Sequence, residues 1–369
     1  MKNKVYYTFS AALLIITMII TMSVGGLSVK AMSFEDEEDA GLEELARQFQ
    51  ENEDNDAFAF RTTTGRRLLR SGSLPASFDL RDSNYVTPVK LQNPFSTCWG
   101  FSAIAAAETS ILSSNIDTSL TASTLDLSEK HTAFFINRPI IDDKSTQNGE
   151  GLRFLEEGHS SNIYDTGGFP FYATGLFASG VGPVKESDND QFYYRGKEGK
   201  TDGDYSYSKD DDWWIDENLR WEQDYVLKES HILPNSSEYI KKNDTGNFSR
   251  TITAMKEELV AGRGIEVGYK SSNALPGQST SQDYFNIETS AHYTYNDNEY
   301  PDHQVTIIGW DDNYPKENFV HPVSGRNSPS PNNNGAWLVK NSWGSEECDF
   351  PNNGGGWGLL QGQDNGSNG

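Results

Sequence analysis

Eleven residues constrain this chain of 369 more than any others: Gln92-Asn93-Pro94-Phe95-Ser96-Thr97-Cys98-Trp99-Gly100-Phe101-Ser102. They hold one of only two cysteines, placed where the run Ala103-Ile104-Ala105-Ala106-Ala107-Glu108 predicts a helix. A thiol at a helix N-terminus feels the positive end of the macrodipole, which favours the thiolate. Gln92 lies six residues upstream, within reach of the sulfur. Its side-chain amide and the Cys98 backbone N–H together suit an oxyanion hole. By itself such a cysteine is more often an inert part of the core.

Two later segments change the balance. Asp302-His303-Gln304-Val305-Thr306-Ile307-Ile308-Gly309-Trp310 puts a histidine at the entry of an apolar strand. Lys340-Asn341-Ser342-Trp343-Gly344 puts an asparagine at the exit of the next strand, Gly335 to Lys340. A nucleophilic cysteine needs a base, and the base needs a third group to fix its ring. The Asn341 oxygen can do that without titrating, with Trp343 shielding the bond from water.

The rest of the chain is organised around these blocks. Lys2 and Lys4, the apolar run through Leu13, Leu14, Ile15, Ile16, Ile19 and Ile20, and Gly25 to Ala31 predict a secretory signal over 1–31. An uncleaved anchor is the other reading, and either one exports the remainder of the chain. Residues 32–73 read as a pro-segment or linker, acidic first and then basic at Arg61, Arg66, Arg67 and Arg70. The net charge of −24 owes much to residues 35–56, where eleven acids face only Arg47, and it argues against a nucleic-acid partner. Gly158 to Gly182 predicts a glycine- and aromatic-rich loop, with a short helix from Ala173 to Ser179. Residues 186–250 read as an insertion packed through aromatics such as Tyr194, Trp214 and Trp221, or less simply as a carbohydrate- or peptide-binding surface. Ile252 to Leu259 predicts a helix, and Gly264 to Tyr269 a strand.

In separated blocks from Leu74 to Gly344 the chain resembles the papain-like cysteine peptidases. Leu74-Pro75 with Asp79 and Arg81 resembles their mature N-terminus, and Cys98-Trp99-Gly100-Phe101-Ser102-Ala103 their most specific motif. Leu127-Ser128-Glu129, Gly167-Gly168, His303 and Asn341-Ser342-Trp343-Gly344 complete the set. The resemblance implies an α+β, two-lobed fold: a helical lobe from about 74 to 185, then an antiparallel, barrel-like β lobe, with a cleft between. It implies Cys98 as nucleophile, His303 as base and acid, Asn341 as orienter and Gln92 as oxyanion donor. Gly167, Gly168, Trp343 and Asp302 fall on the implied substrate side. No cofactor and no metal are implied. The implied partners are protein or peptide substrates, for an exported monomer of bacterial secreted or surface-associated type, with cell-envelope association. A binding protein for peptide or glycan and a cysteine-dependent acyl transferase are the competing classes.

Three departures qualify the resemblance. The family's cysteine three residues before the nucleophile is Phe95 here, and its disulfide partner before the glycine pair is about Asp165. The spacing from Cys98 to His303 is long, which the 186–250 insertion accounts for. After Gly344, residues 345–369 are rich in glycine and asparagine and hold Cys348 with no evident partner. That implies a truncated or altered end to the β lobe.

Overall fold

The computed structural model describes residues 74–92, 95–136, 138, 164, 167–169, 171–194, 214–233, 245–271, 285–286, 289–294, 301–320 and 329–344. The expectations for 1–31, 32–73 and 345–369, Cys348 included, lie outside these residues. What is described is an α+β fold of two lobes, one helical and one built on an antiparallel sheet, each with its own core.

The helical lobe is built on α1 (Cys98–Ser114), α2 (Glu129–Ile136) and α3 (Phe171–Ala178). Alanines let α1 run for 17 residues through the lobe, and Asn115 stops it in the left-handed region (φ 51°), its N–H capping the Leu112 carbonyl. All eight residues of α2 are buried. The core joins Trp99, Ile104, Leu127, Phe134 and Leu176 to Phe192, Tyr194 and Ile215. The lobe boundary expected at 185 is therefore too early. Aromatic and aliphatic side chains as far as Tyr225 and Leu227 pack on the helical core, because their apolar area is buried nowhere else nearby. The far end of the 186–250 segment is likewise the start of α4 (Thr245–Val260), a helix that runs beyond the predicted 252–259.

The β lobe centres on β5 (His303–Asp311). Along one edge it pairs antiparallel with β2 (Ile265–Tyr269) and then with β1 (Ser77–Asp79), and along the other with β6 (Ala336–Lys340). The chain's first described strand thus belongs to the β lobe, not to the helical one. Gly309 is required for this. A Cβ there would meet the Phe78 carbonyl oxygen of β1 at 2.3 Å. Leu259 of α4 packs under the sheet with Leu80, Ile307 and Trp310. A short hairpin, β3 (Phe285–Asn286) and β4 (Ala291–His292), lies apart. Among the described residues the sheet does not close into a barrel.

His131 of α2 shows how the later segment is fastened on. It is fully buried, its Nε2 lies 3.0 Å from the Leu219 carbonyl, and it meets Phe135 and Phe192 edge-on. Burial pushes its pKa down to about 4. The unfolded chain binds a proton near 6.5, so the stability this neutral ring supplies is lost as pH falls from there through 4. We expect the wild type to lose stability over that range more steeply than His131→Phe, by up to about 1.4 kcal/mol per pH unit. Urea titrations of both proteins at pH 4.5 and 6.5 measure this, and equal slopes would refute it.

Candidate active site

Both lobes contribute to the site, and hydrogen bonds between them set its geometry. Ser102, in the second turn of α1, donates to the Val305 carbonyl at 2.8 Å, and Thr306 Oγ1 donates back to the Ser102 carbonyl at 2.9 Å. This clamps the start of α1 against the start of β5. Cys98 is the first residue of α1 and His303 the first of β5. The Gln304 backbone N–H, one residue after His303, is directed at the Cys98 sulfur.

Asn341 follows β6 directly and sits beside His303, with Nε2 of the ring 2.7 Å from Asn341 Oδ1. The amide orientation can be checked, because the Ser342 backbone N–H also reaches Oδ1, at 2.8 Å. A backbone N–H can only donate, so the atom facing it is the oxygen. His303 Nε2 must then carry the proton, which leaves Nδ1 as the basic nitrogen. Trp343 stacks on the imidazole at 4.6 Å between centroids.

Gln92 is held from three directions. Its backbone N–H donates to the Ser342 carbonyl at 2.8 Å, its carbonyl accepts from the Tyr194 hydroxyl at 2.6 Å, and its side-chain Oε1 accepts from Ser342 Oγ at 2.6 Å. One amide hydrogen goes to the Phe95 carbonyl at 3.0 Å, and the other has no acceptor among the described residues. Tyr194 also ties down Thr97, the residue before the nucleophile, at 2.7 Å. Tyr194 comes from the expected insertion, and sequence reasoning saw it only as one ring of an aromatic cluster.

The expected glycine pair is described, and its second member is sterically required. A Cβ on Gly168 would lie 2.5 Å from the Trp99 ring. The Gly168 carbonyl accepts a bond from the Gln304 side-chain amide at 2.9 Å. Asp302 is committed to the end of β2, accepting from Ser271 N–H (2.6 Å), Ser271 Oγ (2.9 Å) and Lys270 Nζ (2.9 Å). Phe95 stacks on Tyr164 with centroids 5.2 Å apart, one residue short of Asp165, which lies outside the described residues. Aromatic packing thus occupies the position where the family resemblance would place a bridge.

The electrostatics depart from the expectation of a thiolate favoured by the helix dipole. Burial raises the Cys98 thiol above its ordinary value, outweighing the backbone N–H groups of Gln304 and Trp99 that pull it down. Burial likewise pushes His303 down to about 4, against the pull of Asn341 and Asp302. Considered one at a time, the two groups favour their neutral forms. The helix N-terminus is present, but desolvation of a charge in this interior is the larger effect.

Behind Asn341 lies a buried ionic cluster that sequence reasoning missed. Glu108 of α1 accepts from Lys90 Nζ (3.3 Å), the Leu127 N–H (3.0 Å) and the Thr87 hydroxyl, with Lys340 Nζ of β6 at 3.7 Å. Lys90 also reaches Glu129 at 2.8 Å and Asp126 at 2.6 Å. Burial pushes Glu108 up, but the two lysines more than offset it and its pKa is lowered. Among the described residues no cluster of His, Cys, Asp and Glu suited to a metal ion occurs.

Residues 74–132 match the family model described as papain family cysteine protease. That match contains α1 with Cys98 at its head, the Glu108 carboxylate and the Leu127-Ser128-Glu129 block. This segment of the chain is similar to the papain family of cysteine proteases. Among curated proteins the chain is similar to chymomexicain from Jacaratia mexicana, 56% identical over 34 residues, which are 9% of this chain and 16% of the relative. Among solved structures, the chain is similar to the clostridial cysteine protease Cwp84 after propeptide cleavage: TM-score 0.44, 22% identity, 74% of this chain and 51% of that one. A recombinant stem bromelain precursor gives a TM-score of 0.38 at 18% identity, covering 74% of this chain and 60% of the precursor. The chain thus spans about a sixth of the curated relative and half of the Cwp84 chain.

Proposed function

We propose that this chain is a papain-family peptidase that hydrolyses peptide bonds through Cys98, His303 and Asn341. The observation that carries this reading is the fixed His303 tautomer. Asn341 Oδ1, pinned by the Ser342 N–H, holds the proton on Nε2 and leaves Nδ1 as the basic nitrogen. The Cys98 proton passes to Nδ1 as the sulfur attacks the scissile carbonyl carbon. The thiolate and imidazolium form together. Each charge then offsets the desolvation that disfavours the other alone. The second amide hydrogen of Gln92 and the Cys98 N–H receive the oxyanion. His303 gives that proton to the leaving amine, then takes one from water as water attacks the thioester; the C–S bond breaks, the acid leaves, and His303 returns the proton to the Cys98 sulfur.

Gly168 lies beside Trp99 and a Cβ on Gly167 would meet open space, which suits the approach of an extended substrate backbone, and the Gly168 carbonyl keeps a second lone pair for it. Export, and with it a secreted or envelope-associated setting, is part of this proposal on the strength of the N-terminal basic and apolar run. The test is reaction of the full chain with a thiol-directed epoxide, followed by peptide mapping. Stoichiometric labelling at Cys98, together with loss of hydrolysis of an unfolded protein substrate, is the expected result. Failure of Cys98 to label in the folded chain would overturn the reading.

A further inference from the structure

Glu266 takes no part in the hydrolytic steps, and its surroundings are unusual for a carboxylate. It stands mid-way along β2, opposite Thr306 in register. Its same-face neighbours on the strand are Gly264 and Gly268. A Cβ on Gly264 would meet Thr306 and the Thr109 side chain of α1, and one on Gly268 would lie 3.9 Å from Gln304 Cγ. This face of β2 therefore looks toward α1 and the Gln304 side chain.

Two acceptors here lack donors. Glu266 Oε1 and Gln304 Oε1 are both buried, and neither has a hydrogen-bond partner. Because Gln304 Nε2 is committed to the Gly168 carbonyl, its Oε1 is turned away from Gly168 and is not exchanged with the nitrogen. No lysine or arginine pairs with Glu266 among the described residues. The residue as a whole is only half-buried, so it can be reached. Unpaired buried acceptors cost free energy that a ligand carrying N–H donors recovers.

We propose that Glu266 and Gln304 form a side-chain pocket beside Cys98 that selects peptides carrying arginine or lysine near the scissile bond. A guanidinium brings five N–H donors and an ammonium three, enough to satisfy both oxygens. Gly268, where even a Cβ would touch Pro301 at 3.4 Å and Gln304 Cγ at 3.9 Å, adds no side chain that would narrow this pocket further. An apolar side chain would leave both acceptors unpaired and is disfavoured for that reason. Burial lifts the empty Glu266 carboxyl to about 8, and an arriving cation displaces its proton.

The inference rests on the peptidase reading, and the experiment separates the two. Full-chain Cys98→Ala is titrated by fluorescence anisotropy with labelled hexapeptides that differ only in one residue, arginine, lysine or norleucine, moved along the peptide. At one position the basic peptides are expected to bind about tenfold or more tightly than norleucine. Adding Glu266→Gln, or independently Gln304→Leu, should collapse that ratio. No binding, no preference at any position, or a ratio unchanged in both variants overturns the pocket. Hydrolysis of basic and norleucine peptides at equal rates by the unaltered chain would reject the pocket and keep the peptidase.

Discussion

Cys98→Ala is expected to lower peptide hydrolysis by at least about a thousandfold and to leave the urea unfolding midpoint where it was. The first half comes from the chemistry, since no other described side chain at the head of α1 can form the thioester. The second half comes from position. Cys98 is only partly buried, and the contacts of its sulfur are weak ones with backbone N–H groups such as those of Gln304 and Trp99. Alanine is the best helix former in its place. Purified variant that keeps more than about 1% of the wild-type rate would mean that the thiol is not the nucleophile. An unfolded variant would mean that the head of α1 depends on the thiol in a way its contacts do not suggest. Far-ultraviolet circular dichroism separates those outcomes.

The largest effect on stability is expected from Glu108→Ala. That carboxylate is fully buried and is the one described acid that contacts both Lys90 and Lys340. Removing it leaves two buried ammonium groups with reduced compensation, and the Leu127 N–H and Thr87 hydroxyl lose their acceptor. Breaking a buried ion pair from one side typically costs about 3–5 kcal/mol, and here several bonds are lost together. Lys340 precedes Asn341, so the damage should reach the His303–Asn341 bond and lower activity in the fraction that remains folded. Lys340→Met on top of Glu108→Ala should recover part of the stability by removing one of the stranded charges. A chemical melt of the three proteins checks this. A midpoint for Glu108→Ala equal to wild type would show that the cluster contributes nothing.

Much of this was legible in the sequence, for identifiable reasons. Strands β2, β5 and β6 were readable because short apolar runs end in glycine, histidine or asparagine, and α1 because of its alanines. Cys98, His303 and Asn341 stood out because each sits at the end of such an element. Glu108 and Lys340 did not, since a charged residue in a helix or at a strand end ordinarily faces water. Only the pairing of distant charges reveals burial, and that is a property of the fold. Glu266 was closer to readable, being a carboxylate between Ile265 and Val267 in an otherwise apolar strand. Its missing partner could not be seen without the neighbours. The lobe boundary was missed because the ring of Tyr194 and the side chain of Ile215 lie in polar, acidic stretches whose composition hides the few residues that anchor them.

The Phe95–Tyr164 stack has a consequence for how the protein is made. A junction held by two aromatic faces forms as the chain collapses and requires neither an electron acceptor nor an isomerase. Thiol reductants can therefore keep Cys98 reduced during purification or in an assay without loosening this corner of the helical lobe. At this junction the conditions that preserve the nucleophile and those that preserve the scaffold do not conflict.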